Sequence, residues 1–143
     1  MTLYRHEWGC TMYLLDTNAC IRVLNNSSQK LITRLQLQNP LDLYLCSVVK
    51  SELLYGARRS RRVADNLRVL QTFFQPLTSF SFDDRCADEY GILRADLESK
   101  GMMIGANDML IAATAIAHHC ILVTHNTREF SRVIGLQLDD WEI

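Results

Sequence analysis

Three carboxylates in this sequence sit where a side chain is expected to leave water. Asp16 closes the apolar run in MYLLDTN, Glu52 lies in SVVKSELLYGA, and Asp108 lies in GMMIGANDMLIAATAIA. A carboxylate at the edge of a core is costly unless it is paired, hydrogen-bonded or bound to a metal. Three of them brought together repel one another until cations neutralise them. A hard divalent ion meets that need: oxygen ligands, retained waters and room for a phosphate oxygen suit Mg²⁺ or Mn²⁺ better than zinc. Each acid also has a plain structural use, because free amides and the macrodipole at a helix N-terminus stabilise a single carboxylate.

Further candidates follow the same edge. VTHNTREF presents Asn126, able to hydrogen-bond a water at the site, and Glu129, a fourth acid. YGARRSRR places Arg58, Arg59, Arg61 and Arg62 just after Glu52, either as a solvated turn or as a guide for phosphates. Lys50 and Arg94 are lesser cationic candidates. Tyr55 can stack on a base, although a tyrosine two turns into an amphipathic helix is more commonly core. His118 and His119 end an Ala-rich segment where the helix dipole favours cations, and neighbouring side chains diverge too far to share a metal. His125 lies near the acids, within reach of a substrate.

These groups need elements to position them. MYLLD reads as a short apolar strand, and Thr17 or Asn18 can cap the helix begun by ACIRVL, which Asn25 and Asn26 end. QKLITRLQLQ has one apolar side, with Leu31, Ile32, Leu35 and Leu37, and NP stops it. LDLYLCS reads as a second strand, with Ser47 placed to cap a long helix. That helix carries Val49, Leu53, Leu54 and Ala57, then Val63, Leu67, Leu70 and Phe74 beyond an arginine-rich turn. PLTSFSF is a third strand, and Asp83 or Asp84 caps a helix that Gly101 stops. The alanines of GANDMLIAATAIAHHC let a helix lie close to a sheet, and CILVT is a buried parallel-type strand. TREFSRVIG is a short helix and LQLDDW an edge strand. This alternation predicts an α/β fold, a three-layer α/β/α sandwich around a mostly parallel sheet. Working groups in such sheets gather at the carboxyl ends of the strands, where Asp16 is placed.

The chain has 143 residues, 48% of them hydrophobic, and a net charge of -1. A domain of this size buries about two thirds of its unfolded surface and needs no staple. Residues 12–143 read as one domain, with residues 1–11 an N-terminal extension ahead of Met12, itself a candidate start. Near-neutrality argues against a protein that coats nucleic acid wholesale. Cys10, Cys20, Cys46, Cys86 and Cys120 are scattered, without a C-x-x-C pair, and read as reduced thiols of a cytoplasmic protein. MTLYRHEWGCT is too polar for a signal peptide. No apolar run approaches the ~20 residues of a membrane span.

LLDTN, SVVKSELLYGA, GMMIGANDMLIAATAIA and LVTHNTREF, with the closing DDW, together resemble the PIN-domain ribonucleases, most closely the VapC-type toxins of bacterial toxin–antitoxin modules. The blocks run in family order from Met12 to Trp141. The resemblance implies that Asp16, Glu52 and Asp108 are the family's first three acids, with Thr17 and Asn18 beside them. The fourth acidic position falls on Asn126 or on Glu129, since members reading N-x-x-E-F resemble this chain and use the glutamate. It further implies Mg²⁺-dependent or Mn²⁺-dependent hydrolysis of RNA phosphodiesters, leaving 3′-hydroxyl and 5′-phosphate ends. A cognate antitoxin, a homodimer and a structured RNA target such as a tRNA are implied in the same way. Two other readings stand beside the toxin: a PIN nuclease of RNA processing without an antitoxin, and a catalytically inactive RNA-binding or interaction module. A phosphatase or nucleotide-binding protein is disfavoured, since the sequence has no G-x-x-x-x-G-K, no G-x-G-x-x-G and no aspartate two residues after Asp16.

Overall fold

The computed structural model describes residues 11–143. The proposed extension, residues 1–11, therefore falls outside the described residues except for Thr11.

Among the described residues five short strands form one parallel sheet, β1 (Tyr13–Leu15), β2 (Leu43–Cys46), β3 (Thr78–Phe80), β4 (Ile121–Val123) and β5 (Leu138–Asp139), in the order β3-β2-β1-β4-β5. Tyr13 lies opposite Leu43 on one side and Ile121 on the other. The chain builds outward from β1 through β2 to β3, then crosses back to place β4 on the other side of β1. The carboxyl end of β1, where Asp16 follows, is thus the switch point of the sheet, the position at which open parallel sheets form a crevice.

Among the described residues seven α-helices flank the sheet: α1 (Thr17–Leu24), α2 (Gln29–Gln36), α3 (Ser47–Arg58), α4 (Val63–Phe74), α5 (Asp84–Ser99), α6 (Ala106–Ala117) and α7 (Thr127–Phe130). All four residues of β2 are buried, whichever face they point to, which requires helices on both sides. The expected α/β/α sandwich is observed. Its core runs through Leu14, Leu45, Ile111, Leu122 and Phe130, all at most 1% exposed. In α6 the residues Ile111, Ala112, Ala113, Thr114 and Ala115 are all buried, as small side chains permit when a helix lies between sheet and neighbour. At the far end Trp141 is 1% exposed, meets the Tyr13 ring edge-on at 4.9 Å and donates its indole N–H to Asp139 at 3.0 Å.

Several local expectations are corrected. The cap of α1 is neither Thr17 nor Asn18 but Asp16, whose carboxylate accepts the Ala19 amide at 2.8 Å. Ser47 does not cap α3; Cys46 stands at that position without a side-chain cap, and the Ser47 hydroxyl donates to the Phe80 carbonyl. The long helix after β2 is two helices, broken over residues 59–62, where four successive polar residues leave nothing to bury. Leu37 and Leu54 face outward. Asp83, not Asp84, caps α5, and Gly101 ends it at φ +64°, a conformation that other residues reach only with strain. Cys20, Cys46, Cys86 and Cys120 are free and buried, and burial pushes the Cys46 and Cys120 thiols up to about 11 and about 12. Such thiols are inert packing groups.

Candidate active site

Asp16 is carried to the switch point by β1 and is only 4% exposed. Its backbone amide donates to the Val123 carbonyl at 3.1 Å, tying it to β4. Burial pushes its carboxyl above the usual range, against the opposing pull of the Thr124 side chain, the Ala19 amide and the Arg22 charge. Its position as a cap is a structural role, but a cap needs no such burial.

The second acid arrives on α3, where the spacing of Val49, Leu53 and Ala57 turns one stripe into the core and leaves Glu52 facing the crevice. Thr17, beside Asp16, donates its hydroxyl to Glu52 at 2.6 Å, so α1 and α3 are joined across the site. Asp108 stands in the first turn of α6, whose cap Gly105 has no side chain to offer. A Cβ on Gly105 would lie 3.2 Å from an Asp108 carboxylate oxygen, so that glycine keeps the space beside the acid open. The Asp108 carboxyl is pushed up to about 6, first by burial and then by the charges of Glu129, Glu52 and Asp16. This mutual repulsion shows that the fold brings together four acids separated by up to 113 positions in sequence.

Asn126 and Glu129 meet at the same edge. Asn126 starts α7, donates its side-chain amide to Glu129 at 3.2 Å, and has its own backbone N–H held by the Thr124 hydroxyl at 3.0 Å. The two candidates for the fourth position are therefore partners in one hydrogen bond, with the acid presented by the amide.

Beside the acids runs an open groove of about 590 Å³, lined by Thr17, Asn18, Ser51, Glu52, Tyr55 and Arg59 among others. Of the four arginines singled out by sequence, Arg59 lines this groove, whereas Arg58, Arg61 and Arg62 are exposed outside its lining. Tyr55 is not core: the residue is 66% exposed, with the Arg59 guanidinium 5.6 Å from its ring centroid. Lys50 lies over the Phe74 ring at 5.0 Å, and Arg94 pairs with Glu98 on α5. A second groove of about 470 Å³ lies across Glu52 and Gly56, against Ile21, Leu53, Asn66, Val69 and Leu70.

Sequence reasoning missed Thr124, Gly105 and Asn107, along with the Arg22–Glu142 pair at 3.3 Å whose two charges pull on Asp16 in opposite directions. A threonine after a buried strand and a glycine before an acid carry no signal until the strand ends are placed. His125 is exposed and 2.9 Å from Asp140; with Glu142 these make one of two tight three-ligand clusters among the described residues. The other is Asp83, Cys86 and His118, at the far end of α6, where His118 stacks on Phe80 at 4.0 Å.

Sheet order, switch-point acids and the run of blocks define one class of protein. A profile of the PIN domain matches residues 13–136, and the chain belongs to the PIN-domain family. It is 38% identical over 132 residues to ribonuclease VapC2 of Rickettsia felis, covering 92% of this chain and 98% of that one. It is 35% identical over 129 residues to the tRNA(fMet)-specific endonuclease VapC of Salmonella typhimurium, covering 90% and 97%. The crystal structure of VapBC2 from Rickettsia felis bound to a DNA fragment from the promoter matches with a TM-score of 0.85 at 38% identity, over 92% of this chain and 99% of that one.

Proposed function

We propose that this chain is the toxin of a type II toxin–antitoxin pair, a single-domain, metal-dependent endoribonuclease acting in the cytoplasm. The observation that carries the reading is the convergence of Asp16, Glu52, Asp108 and Glu129 on one crevice, close enough that the other three charges, after burial, raise the Asp108 carboxyl. Four acids whose charges act on one another at a switch point suit a divalent cation. Asp16, Asp108 and Glu52 are the residues assigned to hold Mg²⁺ or Mn²⁺, with Glu129 completing the set. When bound, that ion supplies an activated water and a counter-charge for the phosphoryl oxygens.

The protein's own groups supply positioning. Thr17 fixes Glu52, the Ala19 amide fixes Asp16 and Asn126 fixes Glu129, so three of the four carboxylates are oriented by a donor. Such outer partners tune how firmly an ion is held. The open groove admits an extended strand, and Arg59 at its rim offers a phosphate contact. Relatives named as ribonucleases, one of them specific for tRNA(fMet), support RNA as the substrate and a tRNA as its class. Solved VapBC complexes support a protein antitoxin as partner; a homodimer is part of the same proposal. No described helix is long and apolar enough to cross a membrane.

The test is cleavage of a mixed small-RNA pool by the purified chain with Mg²⁺ or Mn²⁺, beside a chelator control and Asp16→Asn, with product ends mapped. Discrete cuts leaving 5′-phosphates, lost with chelator and reduced roughly 100-fold or more in the variant, are expected. Cutting that survives the chelator would sink the metal assignment. Cutting that survives Asp16→Asn would sink the site.

A further inference from the structure

We infer that Tyr55 and Arg59 form a stacking platform for a nucleobase of the RNA, next to the nucleotide held at the acids; this rests on the endoribonuclease reading above. Helix α3 buries Val49, Leu53 and Ala57, while Glu52, Tyr55 and Gly56 on its other side and Arg59 at its C-cap all line the groove. The acid and the ring, at i and i+3, share one helix face, and the guanidinium follows from the cap. Tyr55 rises about 4.5 Å beyond Glu52 along the axis, from three residues at 1.5 Å each. That places the ring where the base of a neighbouring nucleotide would lie while its phosphate sits at the carboxylates.

Tyr55 is 66% exposed, so core packing does not account for its ring. Arg59, 5.6 Å from the ring centroid, holds the ring by a cation–π contact and brings a charge for the next phosphate. Single-stranded bases are recognised by stacking on aromatic rings and guanidinium planes. Gly56, beside Tyr55, has nothing within 4 Å of the position of a Cβ, so no side chain competes with an incoming base. Asn18 and Asn107 also line the groove and offer side-chain amides able to bond a base edge. Side-chain amides beside an exposed ring and a guanidinium favour a nucleobase as the occupant.

The test compares Tyr55→Phe, which keeps the ring, with Tyr55→Leu, which removes it. Each is measured for steady-state cleavage of a mixed tRNA pool with Mg²⁺ and, in an Asp16→Asn background, for binding of the same end-labelled pool. Base stacking of this kind predicts that Tyr55→Leu raises KM and Kd by roughly 5- to 100-fold with kcat little changed, while Tyr55→Phe stays near the parent. If Tyr55→Leu cleaves and binds like the parent while cleavage still depends on Asp16, the platform is wrong and the nuclease reading stands. Equal losses in both variants would make the hydroxyl the working group and overturn stacking. A lower melting temperature in Tyr55→Leu alone would make the ring a packing group and would likewise overturn the platform. Binding of RNA unchanged but capture by the antitoxin lost would assign the ring to the protein partner instead. A parent that neither cuts nor binds RNA overturns both readings together.

Discussion

Asp108 has a carboxyl near 6 against an ordinary 3.8, so the unfolded chain gives up that proton before the folded one does. Stability contributed by its protonated form is complete below about pH 4 and is lost as pH rises through about 6. Removing the charge therefore stabilises the metal-free protein at neutral pH. In urea titrations with chelator, Asp108→Asn should exceed the parent by on the order of 1 kcal/mol above pH 6, a value discounted for the partial exposure of the group, and by almost nothing at pH 4. Saturating Mg²⁺ should abolish the advantage at pH 7, because the ion supplies the missing counter-charge. Thr17 acts at the same scale through one hydrogen bond. Thr17→Val, which leaves Glu52 without its 2.6 Å donor, should weaken Mg²⁺ binding roughly 10- to 100-fold by isothermal titration while the melting temperature stays close to that of the parent.

At the scale of elements, α3 matters most because one helix serves both grooves. Gly56 sits in its interior with open space where a Cβ would be, so nothing in the fold requires a glycine there. Gly56→Ala should raise stability by roughly 0.5–1 kcal/mol in thermal or urea unfolding, from helix propensity alone. A larger side chain such as Gly56→Gln should keep that gain while blocking RNA, since the groove beside the acids touches this position. The strands and helices were largely legible as sequence because their apolar spacing is strong. Their caps were not: Ser47 has the right chemistry for a cap, but its hydroxyl meets Phe80 on the neighbouring edge strand instead. The break between α3 and α4 was visible as an arginine-rich turn, yet helical spacing on both sides reads the same whether the axis continues or bends.

At the scale of the whole molecule, the closing DDW sequence anchors the last strand to the first. Trp141 fills the core against Tyr13, while Asp139 accepts its indole N–H and Arg34 lies 5.4 Å over the ring. Trp141→Ala should cost about 3–5 kcal/mol in equilibrium unfolding. Because Arg22 and Glu142 join α1 to this segment beside Asp16, the same variant should also weaken Mg²⁺ binding. Composition and periodicity were enough to establish an α/β sandwich and to mark Asp16, Glu52 and Asp108, because burial patterns and charges at element ends are local properties of the chain. Tertiary structure alone decided that Asn126 presents Glu129, that Arg59 and not Arg58, Arg61 or Arg62 lines the groove, and that Tyr55 faces solvent. Those outcomes depend on the direction in which each helix leaves the sheet, a quantity set by packing between distant segments and absent from any local pattern.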